Sequence, residues 1–261
     1  MVLNMDVLQR TFLNYDSFHD FFPEYIAAEK RRQPELSNST ILWQKTVLAD
    51  LLPKSLLTSD RMYKPQLAPF FNELDQFETL DIPEFSRFWE KSREFFHSLL
   101  REHIVELSQP HKGYHPGDSV GYDKPVPPIL PEHWGRLHFK NALSPESFLD
   151  HEKYFADNLL RVLDEAEKEY NYTVVTSFTW LNSLPKFLRF FPESWQKNVS
   201  DIHAEGVYNN FGFLGQLVNA SGMLNRKTAD YLVRTGKLYY TPKRCRCTFD
   251  ELREHLQQFI K

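Results

Sequence analysis

The chain has few of the residues that a disulfide framework or a glycine-rich ligand loop requires. Its 261 residues include only two cysteines and nine glycines. Cys245 and Cys247 are separated by a single residue, so a disulfide between them would be strained, and there is no third cysteine to replace either partner. This cysteine usage excludes a disulfide-stapled scaffold and is typical of a reducing compartment, so we expect a cytoplasmic protein.

Long apolar runs are also missing. The sequence has no stretch of about 18 consecutive apolar residues, the length that a membrane-spanning helix needs. The opening residues, MVLNMDVLQRTFLNYD, lack the cationic start and apolar stretch of a secretory signal. The formal net charge of −4 argues against general nucleic-acid binding. We therefore expect neither a membrane nor a nucleic acid as partner, and the sequence leaves the oligomeric state open.

The familiar catalytic and phosphate-binding motifs are absent too. No G-x-S-x-G stretch occurs, so serine hydrolase chemistry has no support from the sequence. Several glycines cluster in residues 206–236, but they match neither the G-x-G-x-x-G nor the Walker pattern. The function must therefore be inferred from the placement of individual polar side chains.

Phenylalanine, by contrast, is abundant, with 22 residues in the chain. Across residues 1–107 the aromatic and aliphatic side chains recur at helical spacing, which predicts a helical region with a Phe-rich core. The same helices allow a second interpretation, in which exposed Phe side chains form the partner surface of a non-catalytic interaction protein. Residues 108–133 then contain six prolines and three glycines, which predicts an irregular lid or linker.

The pattern changes again in residues 134–261, for which we predict an α+β region. Residues 136–142 alternate like a strand, Ser144-Pro145-Glu146 is typical of a helix start, and residues 172–179 form a second β-branched run. Residues 237–242 are a candidate edge strand, and a capping box at Thr248 opens a last helix. The predicted fold is mainly helical α+β: a helical N-terminal half, a small sheet with a βαβ unit, and C-terminal helices.

Polar side chains follow both predicted strands, where open α/β sheets bind their ligands. We predict catalytic roles for His138, as a general base, and for Asn182. The candidate substrate-binding residues are Asn141, Thr179, Trp180, Ser183, Arg226, Lys227 and Arg244. The alternative is structural, since Asn182 or Ser183 could simply cap the helix that begins near Pro185.

Basic residues are concentrated near the end of the sequence. Residues 225–261 contain nine Lys or Arg and four Asp or Glu, although the whole chain is acidic. Such a patch suits a phosphate or a carboxylate, so we expect a small anionic substrate. A solvated basic surface without function is the alternative.

Two further chemistries can be considered. His203, Glu205 and the distant His255 resemble the facial triad of metal-dependent oxygenases, but the sequence has too few strands for the barrel that carries it. Cys245 and Cys247 have basic neighbours that would activate a thiol, although two inert thiols are the simpler interpretation. We assign no metal site.

Residues 136–195 carry the segments LHF, LSPESF, SFTWLNSLP and FFP around a long predicted helix. In this order they resemble the C-terminal module of acyltransferase-like proteins of the GNAT fold. The resemblance implies a strand–helix–strand frame and an acyl-CoA donor, but the glycine-rich loop that binds its pyrophosphate is missing, so the cofactor stays unassigned. The sequence thus predicts a small-molecule enzyme, with acyl or related group transfer to an anionic substrate as the expected reaction.

Overall fold

The computed structural model describes residues 2–107, 114–123, 130–201 and 210–260. The helices in these ranges are α1 (Val2–His19), α2 (Phe22–Arg32), α3 (Asn38–Gln44), α4 (Leu48–Leu51), α5 (Ala68–Leu74), α6 (Pro83–Glu102), α7 (Ile104–Leu107), α8 (Glu152–Tyr170), α9 (Pro185–Leu188), α10 (Glu193–Lys197), α11 (Phe211–Leu214), α12 (Arg226–Thr235) and α13 (Phe249–Leu256). The strands are β1 (Val120–Tyr122), β2 (Trp134–Phe139), β3 (Val174–Thr179), β4 (Ser200–Asp201) and β5 (Lys243–Thr248).

The chain forms two compact units. Unit 1 consists of Met1–Gln109 and Ala204–Tyr239, and unit 2 consists of Pro110–His203 and Tyr240–Lys261. Of the loop predicted at 108–133, residues 108–113 and 124–129 lie outside the described residues, and so do His203 and Glu205. The described part is not wholly irregular, because residues 120–122 form β1 and pair with β2. No helix in the described part of the chain is both long enough and apolar enough to cross a membrane.

Unit 1 is helical, and its core is built largely from aromatic side chains. On α6, Phe85, Trp89, Phe96 and Leu100 recur at helical spacing and are buried. Burying one such side chain contributes about 1.5–3 kcal/mol to the stability of the fold. Many of the phenylalanines of the chain are buried in this core or packed against it. Among the described phenylalanines, Phe95 is the one that is more than a third exposed, which leaves few Phe rings for a partner surface.

The segment 211–235 belongs to unit 1, although the sequence placed it with the α+β region. Leu214, Leu217, Ala229 and Leu232 are buried in the same core cluster as the aromatic side chains of α1, α2 and α6. Hydrophobic spacing shows that a helix has an apolar face, but it does not show which core receives that face. The chain therefore leaves unit 2 after β4 and returns to it at β5.

Unit 2 contains a five-stranded sheet in the order β1-β2-β3-β5-β4. The β2 and β3 strands are parallel, and each remaining pair is antiparallel. The α8 helix connects the two parallel strands, buries Phe155, Leu159 and Val162, and ends at Asn171 in the left-handed conformation. The predicted α+β fold, mainly helical and with a βαβ unit, is confirmed.

The predicted start of the crossover helix at Ser144-Pro145-Glu146 is wrong, because α8 begins at Glu152. Side chains hold the intervening backbone in turns: Asn141 Nδ2 donates to Glu146 O at 2.8 Å, and Ser147 Oγ accepts from Leu149 N at 3.3 Å. Such local hydrogen bonds compete with helix formation.

The edge strand predicted at residues 237–242 is also wrong, since the strand is Lys243–Thr248 and pairs with β3 near the middle of the sheet. Its sequence, KRCRCT, has a single β-branched residue, Thr248 at the last position, and so lacks the run of such residues that marks most strands.

Candidate functional site

The predicted meeting of strand ends is present. Because β2 and β3 are parallel, with Arg136 beside Thr176, their carboxyl ends lie at the same edge of the sheet. The β5 strand runs the opposite way and starts at this edge, with Lys243 beside Thr179. The carboxyl ends of the two predicted strands and the start of β5 thus lie at one edge of the sheet.

Several of the polar groups at this edge are occupied by local backbone. Thr179 is buried, and its hydroxyl accepts from Leu181 N, which caps the 3-10 turn Trp180–Ser183. Ser183 Oγ donates to Thr241 O at 2.6 Å. With Asn141 also bonded to its own turn, these side chains shape the edge rather than offering free ligand contacts.

Asn182 does not have the exposed position that its predicted catalytic role requires. It is 1% exposed, and its amide nitrogen donates to Lys243 O at 2.8 Å and to Ser177 O at 3.3 Å. Its oxygen accepts from Trp195 Nε1 at 3.0 Å. The cap interpretation is wrong as well, because the residue before α9 is Leu184 and no side chain caps that helix. Asn182 instead ties β3, β5 and α10 together.

Trp180 is half-buried and stacks on Tyr240, with ring centroids 5.8 Å apart. The indole is therefore already part of an aromatic pair within unit 2. This contact supports the packing interpretation of Trp180 more than a role as a free stacking platform.

The β5 strand separates two kinds of side chain onto the two faces of the sheet. Cys245 and Cys247 are buried in the core of unit 2, while Arg246 is exposed and Arg244 half-buried on the other face. Burial raises the pKa of Cys245 to about 12, against a smaller opposite effect of Lys243, and burial likewise raises the pKa of Cys247. Both thiols are protonated at neutral pH, so the structure favours the inert interpretation.

The arginines of β5 share their face with residues of β2 and β3. Strand alternation and register place on this side Trp134, Arg136, His138, Thr176, Phe178, Arg244 and Arg246, which together we call the arginine–aromatic face. The strands β2, β3 and β5 contain no Asp or Glu, and three of their four Lys or Arg residues, Arg136, Arg244 and Arg246, lie on this face. The arginine–aromatic face is thus basic and partly apolar.

His138 is paired with a carboxylate on this face. Its Nε2 lies 2.7 Å from Asp123 Oδ2, and the His138 side chain is 39% exposed. Arg136 Nε donates to the same carboxylate oxygen at 2.9 Å. Burial disfavours the charged carboxylate, but hydrogen bonds and charges from His138 and Arg136 outweigh it and lower the pKa of Asp123 to about 2. Asp123 is therefore ionised throughout the physiological range.

Arg244 and Arg246 have aromatic partners instead of acidic ones. The guanidinium carbon of Arg246 lies 5.0 Å from the ring centroid of Trp134, and that of Arg244 lies 5.7 Å from the centroid of Phe178. Within the described ranges, neither guanidinium forms an ion pair with a carboxylate. Their N–H donors therefore remain available for an anion.

Arg226 and Lys227, the other predicted anion ligands, belong to unit 1, at the start of α12. Arg226 lies 3.4 Å from a Glu24 carboxylate oxygen, and the Lys227 ammonium lies 4.9 Å from the ring centroid of Tyr239. The arginine–aromatic face is built from unit 2 alone, and Arg226 and Lys227 are not among its residues.

The facial-triad hypothesis concerns one described residue, His255, because His203 and Glu205 lie outside the described ranges. His255 Nε2 lies 2.8 Å from Arg189 O. In the described part of the chain, no group of three or more His, Cys, Asp or Glu side chains is arranged to hold a metal ion.

The individual site residues predicted from the sequence did not include Asp123, Arg136 or Arg246, although Arg246 lies in the basic segment 225–261 and Asp123 in the polar loop 108–133. A signal was present for two of them, because R-x-H in β2 and R-C-R-C in β5 place basic residues at alternate positions and so on one face of a strand. Asp123 has no such signal, since its approach to His138 depends on the pairing of β1 with β2.

Comparisons of the chain with protein-family models, with curated proteins and with solved structures found no match.

Proposed function

We propose that unit 2 binds a small anionic molecule on the arginine–aromatic face and transfers a group to it, with His138 as general base. One observation carries the proposal: the His138–Asp123 pair lies on the same sheet face as two guanidiniums that lack acidic partners in the described residues. A proton acceptor and an anion site close together are what a group-transfer enzyme with an anionic acceptor needs.

The Asp123 carboxylate selects the tautomer of His138 that can act as a general base. An ionised carboxylate can only accept hydrogen bonds, so His138 Nε2 donates to it, and the neutral ring keeps Nδ1 as its proton acceptor. Within the described residues, Nδ1 has no hydrogen-bond partner. His138 can therefore take a proton from the nucleophilic hydroxyl or amine of a bound acceptor, with Asp123 fixing the ring.

Arg244 and Arg246 would hold the anionic group of that acceptor. Arginine binds phosphate and carboxylate through two parallel N–H donors, which fixes orientation as well as position. His138 and Arg244 lie on strands either side of β3, so about 10 Å separates the two strands. A small molecule with its nucleophile at one end and its anionic group at the other matches this span.

Acyl transfer is the reaction to test first, because of the sequence resemblance in residues 136–195. The described residues of unit 2 include no glycine-rich loop that would hold the pyrophosphate of acyl-CoA. The residues present thus do not fit the expected donor site, and we assign the group donor no position.

The experiment measures thiol release from acetyl-CoA in the presence of pooled phosphorylated and carboxylated acceptors. We expect release that depends on the acceptor and falls about 100-fold or more in His138→Gln. His151→Gln is the matched control, because His151 pairs with Glu146 at 2.6 Å elsewhere in the same unit. Full activity in a folded His138→Gln protein would contradict the base role, and no acceptor-dependent release would contradict acyl transfer.

A further inference from the structure

We propose that the anion bound by the arginine–aromatic face is a nucleoside phosphate, that is, a ligand with both a phosphate and a planar ring. This inference rests on the proposed function, because it names the ligand class of the same face. Its basis is that Arg244 and Arg246, which are without acidic partners in the described residues, each lie over an aromatic ring.

The position of Arg246 shows how the sheet arranges these groups. Its backbone partner in β3 is Thr176, whereas the ring beneath its guanidinium belongs to Trp134 in β2. The Arg246 side chain therefore crosses β3 to reach the indole. The Arg246 side chain can cross at this position because Thr176 is small and only 2% exposed. The Thr176 hydroxyl donates to the backbone oxygen of Cys245 at 2.8 Å and so does not project from the sheet.

Arg136 is the other backbone neighbour of Thr176, so two guanidinium-bearing residues flank this threonine. Asp123 compensates Arg136, whereas no described acidic side chain compensates Arg246 or Arg244. The charge that remains unbalanced on this face is thus placed over Trp134 and Phe178. An anion drawn to that charge arrives next to aromatic surface.

A guanidinium that lies over an aromatic ring can contact a ligand in two ways. Its N–H edge binds an oxyanion, and its second planar face accepts a stacked heterocycle, as arginines do for unpaired nucleobases. A simple carboxylate or phosphate would use the first property and leave the second unused. A nucleoside phosphate uses both, and it carries the ribose hydroxyls that His138 could deprotonate.

The test is calorimetric titration of the full-length protein with adenosine monophosphate, ribose phosphate, adenosine and inorganic phosphate. We expect adenosine monophosphate to bind at least about tenfold more tightly than ribose phosphate, and more tightly than adenosine, since stacking and phosphate contacts both contribute. Arg246→Lys keeps the charge but removes both the planar face and the paired N–H donors, so it should weaken both ligands, and adenosine monophosphate about tenfold more than ribose phosphate. Arg253→Lys, on α13 and paired with Glu167, is the matched control.

The outcomes separate this inference from the proposed function. Equal affinity for adenosine monophosphate and ribose phosphate would overturn the ring contact while leaving the anion site standing. Equal affinity for adenosine and adenosine monophosphate would overturn the phosphate contact. Failure of every phosphate probe to bind would overturn the anion site of the proposed function as well. A single-stranded RNA oligomer that binds more than about tenfold tighter than the monophosphate would overturn the assignment to a small molecule.

Discussion

Trp195 and Asn182 are joined inside unit 2 by a hydrogen bond of 3.0 Å from the indole nitrogen to the amide oxygen. Trp195 is fully buried and Asn182 nearly so. Because the Asn182 nitrogen also donates to carbonyls of β3 and β5, one side chain connects a helix to two strands. Buried polar groups that are fully paired in this way specify a single arrangement of the surrounding elements.

We therefore predict that Asn182→Ala lowers the free energy of unfolding by about 2–4 kcal/mol, because it leaves the buried Trp195 nitrogen unpaired and removes the hydrogen bond to the Lys243 carbonyl. Ser183→Ala, which removes one hydrogen bond of a half-buried hydroxyl, should cost about 1 kcal/mol or less. Urea denaturation of the two variants measures the difference. Equal losses in both would show that Asn182 has no special structural role.

Gly135 in β2 lies against the ring of Tyr172, and a Cβ atom at position 135 would lie 2.8 Å from Tyr172 Cδ2. Since Tyr172 is fully buried and has little room to move, we expect Gly135→Ala to lower stability by about 1–3 kcal/mol. Combining it with Tyr172→Leu should cost less than the sum of the two single changes. A double-mutant cycle from thermal unfolding tests this, and strict additivity would contradict the contact.

The low pKa of Asp123 predicts a dependence of stability on pH. Its native pKa of about 2 lies below the unfolded value of about 3.9, so its contribution is present above about pH 4 and is lost as pH falls through about 2. Replacing His138 by Gln should raise the pKa of Asp123 towards its ordinary value and make this acid-range loss smaller. NMR titration of the Asp123 carboxyl carbon is the direct measurement, with His151→Gln as control. An unchanged pKa in His138→Gln would contradict the pairing.

The buried thiols predict a second dependence, at high pH. Cys245 keeps its proton in the native state up to a pKa of about 12, whereas in the unfolded chain it ionises near about 8.5, so stability should fall as pH rises through that interval. We also expect both cysteines to resist an aromatic disulfide reagent at about pH 8 until the protein is unfolded. A double Cys245→Ala, Cys247→Ala variant should lose less stability above about pH 9. Rapid labelling of the native protein would contradict the buried positions.

Local sequence signals were sufficient for the frame of unit 2. The two β-branched or alternating runs around a long amphipathic stretch predicted β2, α8 and β3, and Thr248 with Glu251 predicted the capping box that opens α13. These features depend on residues close together in the chain, whose propensities and hydrogen bonds act locally.

The features that the sequence did not predict depend on contacts between residues that are far apart in the chain. Asn182 bonds to Lys243, and Arg246 reaches Trp134, so neither role can be seen without the pairing of β5 with β3. The apolar face of α12 fits the core of unit 1, although its neighbours in sequence lead into unit 2. Arg244 and Arg246 lie on the face of β5 opposite the buried cysteines, and which residues of β2 and β3 share that face depends on the register of the strand pairs.

The discontinuity of unit 2 has a consequence for synthesis on the ribosome. The β3 strand is made before its partner β5, which follows only after the chain has passed through a segment of unit 1. Until residues 243–248 emerge from the exit tunnel, one side of β3 has no antiparallel partner, and nascent chains are prone to associate through such open edges. Unit 1 receives its last helices, within residues 211–235, during that interval, whereas unit 2 can complete its sheet only after β5 has been made.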